Sequence, residues 1–222
     1  MKTALKIDFV SDVSCPWCVV GLKSLEQAID RVGNVAVDIH FQPFELNPGM
    51  AAQGQEITEH ITQKYGITPA QAQANRENIR DRGAALGFKF SMADEPGGGR
   101  GRIYNTFDAH RLLHWAESQG AGYQKALKQG LFDAYFTDGQ SPASHEVLVS
   151  VAAKAGLDAI RAAEVLASGA YADEVREREQ FYLDSGIHSV PAVIINGRHL
   201  ISGGQPPEVF EQALRQIAAA AD

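Results

Sequence analysis

The only two cysteines of the 222-residue chain stand three apart, in Cys15-Pro16-Trp17-Cys18, where one hydrophobic period gives way to another. Before them, Leu5, Ile7 and Phe9 alternate with Lys6 and Asp8, the period of a half-buried strand, and Ser11 to Ser14 break the pattern. After them, Val19, Leu22, Leu25, Ala28, Ile29 and Val32 recur at threes and fours until Gly33 and Asn34 stop the run. That spacing predicts a helix with the cysteines in its first turn. Val35, Val37, Ile39 and Phe41 return to period two before Pro43. The first 42 residues therefore read strand, helix, strand, the βαβ unit of an α/β fold.

From about Gly54 to Ser185 the period is helical, which is long for a crossover and predicts an inserted domain without strands. Thr68-Pro69-Ala70-Gln71 is a capping box with proline at the first helical position, opening a helix that runs to Leu86 with Gly87 as its stop. Further helical segments span Thr106 to Gln119, Tyr123 to Phe136, Ser144 to Ala155, Asp158 to Ala167 and Tyr171 to Leu183. Asp94 to Arg102, rich in glycine, reads as a mobile loop. Strands return at Ala192 to Ile195 and Arg198 to Ser202, joined by Asn196-Gly197, which supplies the two positive-φ positions of a tight hairpin. Pro206-Pro207 opens a last helix. A thioredoxin-like core of residues 1–53 and 186–222, interrupted by helical residues 54–185, is the expected division; the last inserted helix is free to pack on the core.

Composition narrows the function classes. A hydrophobic fraction of 45% and a charged fraction of 21% are those of a globular chain, and a net charge of −7 argues against a surface that coats nucleic acid. Two cysteines build neither a disulfide framework nor a Cys₄ metal site. The opening MKTALKIDFV lacks the apolar core of an export signal, and no stretch approaches 18 uninterrupted apolar residues. The expected location is the cytoplasm, with no membrane partner, and in a reducing compartment a lone cysteine pair points to chemistry rather than structure.

Cys15 follows a strand and begins a helix, where unsatisfied N–H groups and the helix dipole stabilise a thiolate. A second cysteine one turn on can close a ring after the first attacks. Cys15 is expected to be the exposed attacking sulfur and Cys18 the buried resolving one, with Trp17 an aromatic surface beside them.

Together with Ser189-Val190-Pro191 ahead of the hairpin, these features resemble the DsbA family of thioredoxin-fold oxidoreductases over nearly the whole chain. More narrowly, Ser11 to Ser14, Pro43 to Pro48, Asn105-Thr106 with Ala109 to Leu112, and Ser202 to Pro206 look like the cytoplasmic FrnE-like branch. The resemblance implies an α/β thioredoxin-like fold with a large all-helical insertion. It implies catalytic Cys15 and Cys18, and a cis Val190-Pro191 bond that faces them and presents the Val190 backbone to an extended substrate. Substrate contacts are then expected from Val190, Pro191, Trp17 and Phe44, the last equally at home in the core. The substrate is a disulfide-bearing protein or small thiol, and an unidentified partner recycles the pair. No metal or organic cofactor is required, and glutathione is the candidate redox partner or co-substrate. Two other readings stay open: a glutathione-dependent transferase or isomerase of the kappa type, whose members commonly carry serine at the position of Cys15, and a redox-sensitive chaperone module.

Among the seven histidines only His110 and His114 share helix spacing, so no metal site is expected. His110 is assigned to packing or hydrogen bonding at the domain junction, and His188 to an exposed loop near Pro191. Gly97, Gly98, Gly99 and Gly101 follow no strand and precede no Gly-Lys-Ser/Thr, which argues for a lid over a phosphate loop. Arg100 and Arg102 are read as loop residues before anion contacts. Tyr104 joins Trp17 and Phe44 as a candidate apolar wall, and Asp8 and Asp12 are candidates for proton transfer.

Overall fold

The computed structural model describes residues 4–51, 53–91, 101–120 and 122–221. The first strand, β1 (Leu5–Ser11), leads into helix α1 (Pro16–Val32), which returns through β2 (Val37–Pro43). Near the other end, β5 (Ala192–Ile195) and β6 (His199–Ser202) form the hairpin, and α9 (Pro207–Ala221) closes the chain. These strands make one sheet in the order β2-β1-β5-β6, with β1 parallel to β2 and antiparallel to β5. Asn196 and Gly197 both take positive φ, 52° and 65°, as the hairpin turn requires. The Asn196 amide oxygen also accepts from Lys6 N at 3.0 Å, which fastens the turn to β1.

The alternation of β1 divides the core. Leu5, Ile7 and Phe9 face α1 and α9, packing with Leu22, Leu25, Phe210 and Leu214. Val10 faces the other way, against Tyr182 of α8 (Ala172–Asp184) and Ile187. The sheet is thus covered on both sides, as a parallel βαβ unit demands.

The intervening chain carries α2 (Ile57–Tyr65), α3 (Pro69–Ala85), α4 (Phe107–Glu117), α5 (Tyr123–Phe132), α6 (His145–Lys154) and α7 (Ala159–Ser168) before α8. Thr68 and Gln71 form the reciprocal capping box that starts α3. Leu112, Leu127, Leu131, Leu148, Val151 and Leu166 pack α4 to α7 around a core of their own. The helix expected to end at Phe136 leaves α-geometry after Phe132 for one π-helical turn, Asp133–Thr137.

The expectation of a strand-free insertion is corrected. β3 (Gln55–Glu56) and β4 (Arg102–Ile103) pair antiparallel. Each is two residues long, too short to show a period. Residues 92–100, most of the expected Asp94–Arg102 loop including Arg100, lie outside the described residues. Arg102 belongs to β4, and its guanidinium donates to the carbonyls of Gln53 and Gly54 at 2.9 and 2.8 Å. Among the described residues no helix is long and apolar enough to cross a membrane.

Helix α5 also secures the sheet. β2 is an edge strand, and the Gln124 side chain caps it, accepting from Phe41 N at 2.9 Å and donating to Phe41 O at 3.1 Å and Leu113 O at 3.3 Å. An outward-facing peptide unit that would invite another strand is thereby satisfied from within the chain.

Candidate active site

Cys15 is the N-cap of α1, with extended backbone and Pro16 at the first helical position, where a missing N–H costs nothing. The Cys18 amide donates to the Cys15 carbonyl at 3.0 Å. Both sulfurs are free thiols. Cys18 lies one turn into the helix and is fully buried, as expected. Cys15, expected to be exposed, is only 3% exposed, a correction with a clear cause. Its Sγ is turned toward the loop before β5 and donates to the Val190 carbonyl at 3.7 Å, and the first helices of the insertion stand over its other side.

That other side is open to a cavity of about 590 Å³ between α1, α2, α3 and the π-turn. Cys15, Pro16 and Trp17 form its floor, Ile57, Ile61 and Ile79 one wall, and Phe90, Tyr135 and Phe136 another. His60, Lys64, Arg76 and Arg80 supply its polar groups. Lys64 donates to Leu46 O and Asn47 Oδ1, both at 2.7 Å, and burial lowers its pKa. The volume is that of a small-molecule pocket.

The other expected site residues divide. Trp17 is half-buried in the cavity floor, with the Arg82 guanidinium 5.2 Å from its ring centroid. The Val190–Pro191 peptide bond is cis, and Pro191 is buried against α1, where a β-carbon on Gly21 would lie 2.8 Å from its Cγ. Val190 thus stands beside Cys15 and Pro191 against α1, and neither lines the cavity. Phe44 is not brought to the sulfurs: it is buried with Val10, Tyr182, Ile187 and Ala192 on the opposite face of the sheet, so its assignment as a substrate contact is corrected to core packing. Tyr104 packs at the core edge beside Gly54 and does not line the cavity. His188 is exposed. Among the described residues no group of three or more His, Cys, Asp or Glu could hold a metal ion.

Charged groups lie beneath the cysteines. Asp12, in the turn between β1 and α1, is wholly buried and accepts from Ser14 N at 3.1 Å and Leu46 N at 2.7 Å. His110 of α4, also buried, is 3.7 Å from its carboxylate, an ion-pair distance. Burial pushes the Asp12 pKa up, but His110 and the two amides outweigh it and hold the carboxyl below its ordinary value. Burial and the neighbouring Cys15 raise the Cys18 thiol well above the ordinary cysteine range, opposed by the charge of Lys128.

Lys128, on α5, escaped the sequence reading. It is fully buried, and burial lowers its pKa to about 8 despite the opposing charges of Cys18, Asp12 and Cys15. A signal was available, since Gln124, Leu127, Lys128, Leu131 and Tyr135 fall at threes and fours on one buried stripe.

A four-stranded sheet sandwiched by helices, with a dithiol at the first turn of the helix after β1 and a proline opposite it, defines a thioredoxin-like protein with an inserted helical bundle. The chain belongs to the DSBA-like thioredoxin domain family, whose model matches residues 6–215. It is 37% identical to a probable DsbA oxidoreductase from Streptomyces coelicolor, superposing with a TM-score of 0.85 over 97% of this chain and 90% of that one. An uncharacterized Bacillus subtilis protein, YwbO, is 27% identical over 209 residues, 94% of each chain. The cytosolic disulfide reductase DsbM of Pseudomonas aeruginosa shares the fold at 18% identity, with a TM-score of 0.65 over 97% of this chain and 99% of that one.

Proposed function

We propose that the protein is a thiol-disulfide oxidoreductase in which Cys15 and Cys18 exchange a disulfide with a protein or small-thiol substrate. The observation that carries this reading is the pair itself: two free thiols one helical turn apart, the first at the N-cap of α1 and in the floor of a cavity. A thiolate at a helix start is stabilised by the unpaired amides of the first turn. The Cys15 thiolate attacks one sulfur of the substrate disulfide and the other leaves as a thiolate, forming a mixed disulfide. Cys18 then attacks Cys15 Sγ, releasing the second substrate thiolate and leaving a Cys15–Cys18 disulfide. The substrate gains two electrons and the cysteine pair loses two; the reverse sequence donates a disulfide.

Val190 presents backbone to the substrate beside Cys15, with Pro191 packed next to it, and Trp17 contributes an apolar face from the cavity floor. The reaction needs no metal or organic cofactor. A second thiol or disulfide partner, for which glutathione is the candidate, resets the pair, in keeping with a cytoplasmic setting.

The test is Cys15→Ser in insulin-reduction and glutathione-disulfide assays. Loss of turnover by at least about 1000-fold is expected, because the residue forms the covalent intermediate. Full turnover in that variant sinks the assignment.

A further inference from the structure

The cavity over Cys15 is opposite in charge to the chain that builds it. The sequence carries 27 acidic side chains against 20 basic, yet among the described residues the cavity lining includes Lys64, Arg76 and Arg80 and no aspartate or glutamate. The acids of the same two helices, Glu59 on α2 and Glu77 and Asp81 on α3, lie outside the lining.

We infer that the cavity binds the anionic end of a small thiol or disulfide whose remaining body is apolar, with Lys64 and Arg76 as the anion contacts. This rests on the redox reading above and narrows its small-thiol substrate. Both cations are held in place without being neutralised. The Lys64 ammonium donates to two uncharged acceptors, Leu46 O and Asn47 Oδ1, both at 2.7 Å. Arg76 donates from Nη1 to Thr58 Oγ1 and from Nη2 to Gln73 Oε1, each at 3.0 Å, and its buried Nε has no partner among the described residues. Lys23, Arg31, Arg111, Arg176 and Arg215, by contrast, each pair with a carboxylate. A cation that loses water without gaining a counter-ion is a ready contact for an anionic ligand. His60 adds no charge at neutral pH: its ring nitrogens face Gln55 Oε1 at 2.8 Å and Asn47 Oδ1 at 3.0 Å, and burial with the Lys64 charge lowers its pKa.

The rest of the wall is hydrocarbon. Ile57, Ile61 and Ile79 face Phe90 and Phe136 across the space above Trp17. Each methylene buried there adds about fourfold in affinity. A peptide segment would bring backbone N–H and C=O groups against that wall without partners, whereas an alkyl or aryl chain ending in one anion suits both parts of the lining. Glutathione, the candidate for resetting the pair, carries an ammonium, which a lining of cations without carboxylates disfavours.

With oxidised protein and a dithiol of this class, one substrate thiolate attacks Cys15 Sγ and Cys18 leaves as a thiolate. The second substrate sulfur then displaces Cys15, and the substrate closes to a cyclic disulfide. Two electrons pass from the dithiol to the cysteine pair, and the two substrate protons end on the cysteines through solvent.

Dihydrolipoate and dihydrolipoamide are the probes, because they share the dithiol and the alkyl chain and differ by one charge at its far end. The initial rate at which oxidised full-length protein converts each to its dithiolane, read from the product absorbance at fixed ionic strength, gives the ratio of their second-order rate constants. Wild type is expected to prefer the carboxylate by at least about tenfold, the scale of a hydrogen bond between charged groups. In Arg76→Met and in Lys64→Met that preference is expected to fall by about fivefold or more. Shortening the chain by two methylenes, in dihydrobisnorlipoate, is expected to slow wild type by about tenfold.

Equal rates for the acid and the amide in wild type, or a preference that survives in both variants, overturns the inference. So does an unchanged rate with the shortened chain, or reaction with glutathione and with neither dihydrolipoyl compound. Where a variant does not fold, the aminoethyl amide of dihydrolipoate, cationic at the same end, decides: it is expected to react more slowly than dihydrolipoamide, and an equal or faster rate overturns the inference. Failure of the oxidised protein to accept electrons from any thiol is a different result: it refutes the oxidoreductase reading itself.

Discussion

Gly21 lies inside α1 at the point where Pro191 approaches the helix, and Gly21→Ala sets two calculable effects against each other. Alanine in a helix interior is favoured over glycine by about 1 kcal/mol. Against that, the added carbon would stand 2.8 Å from Pro191 Cγ, 3.5 Å from Pro191 Cβ and 3.6 Å from Gly204 Cα. Carbon atoms rest at about 3.5–4 Å, so the ring must retreat by roughly 1 Å. It has little freedom to do so, because a pyrrolidine ring cannot swing away like a flexible side chain and the Pro191 carbonyl is held by Gly203 N at 2.8 Å. Overpacking a tight contact costs about 1–3 kcal/mol, which exceeds the propensity gain through most of its range. The variant is therefore expected to be less stable by about 1 kcal/mol in urea denaturation. Any retreat of Pro191 also carries Val190, whose carbonyl accepts from Cys15 Sγ at 3.7 Å, so the rate of Cys15 alkylation by iodoacetamide is expected to change with it. A variant stabilised by about 1 kcal/mol with unchanged alkylation would refute the claim that this contact sets the spacing of the site.

Gln124→Met keeps the volume of the side chain but leaves the buried Phe41 N–H and C=O without their partners, at about 1–3 kcal/mol for each such group. A loss of about 2–4 kcal/mol in chemical denaturation is expected, and a loss below about 1 kcal/mol would mean that water replaces the clamp. Lys128→Met is expected to be more stable than wild type at pH 7, since a folded-state pKa lowered from 10.5 to about 8 corresponds to roughly 3 kcal/mol against carrying that proton in the fold. Because the folded pKa is the lower one, the unfolded chain binds a proton that the folded chain does not between about 8 and 10.5. Wild-type stability from this group therefore rises with pH across that window, and the advantage of the variant shrinks there. A stability difference independent of pH contradicts the assignment.

What was legible in the sequence follows from which faces are buried. β1 and α1 each press a continuous apolar face into the core, so the alternation of Leu5, Ile7 and Phe9 and the spacing of Leu22, Leu25 and Ala28 marked them within a residue or two. α2 was not singled out, because its apolar residues Ile57 and Ile61 line the cavity and make no stripe against a core. β3 and β4 had no period to show. The chemistry divided in the same way. The cysteine motif and its helix start were readable locally, whereas the cover over Cys15 and the place of Phe44 depend on contacts from distant segments. Phe44 follows β2 by one residue, and which face of the sheet it met was not encoded in its neighbours.

Helix α5 binds these observations together, because its side chains tie the insertion to the sheet edge at β2. Gln124 and Lys128 belong to one buried stripe; the first closes the sheet edge at Phe41, and the second buries an amine that feels the charges of Cys18, Asp12 and Cys15. Closing the edge fixes α5 against β2, and with it the depth at which Lys128 is buried. An aliphatic residue at position 128 would continue the packing of Leu127, Leu131 and Phe132 and recover roughly 3 kcal/mol at neutral pH. Packing alone therefore gives no reason for an amine there. The charges that favour its protonated form are those of Cys18, Asp12 and Cys15, so the reason for an amine lies with that charged cluster and not with packing.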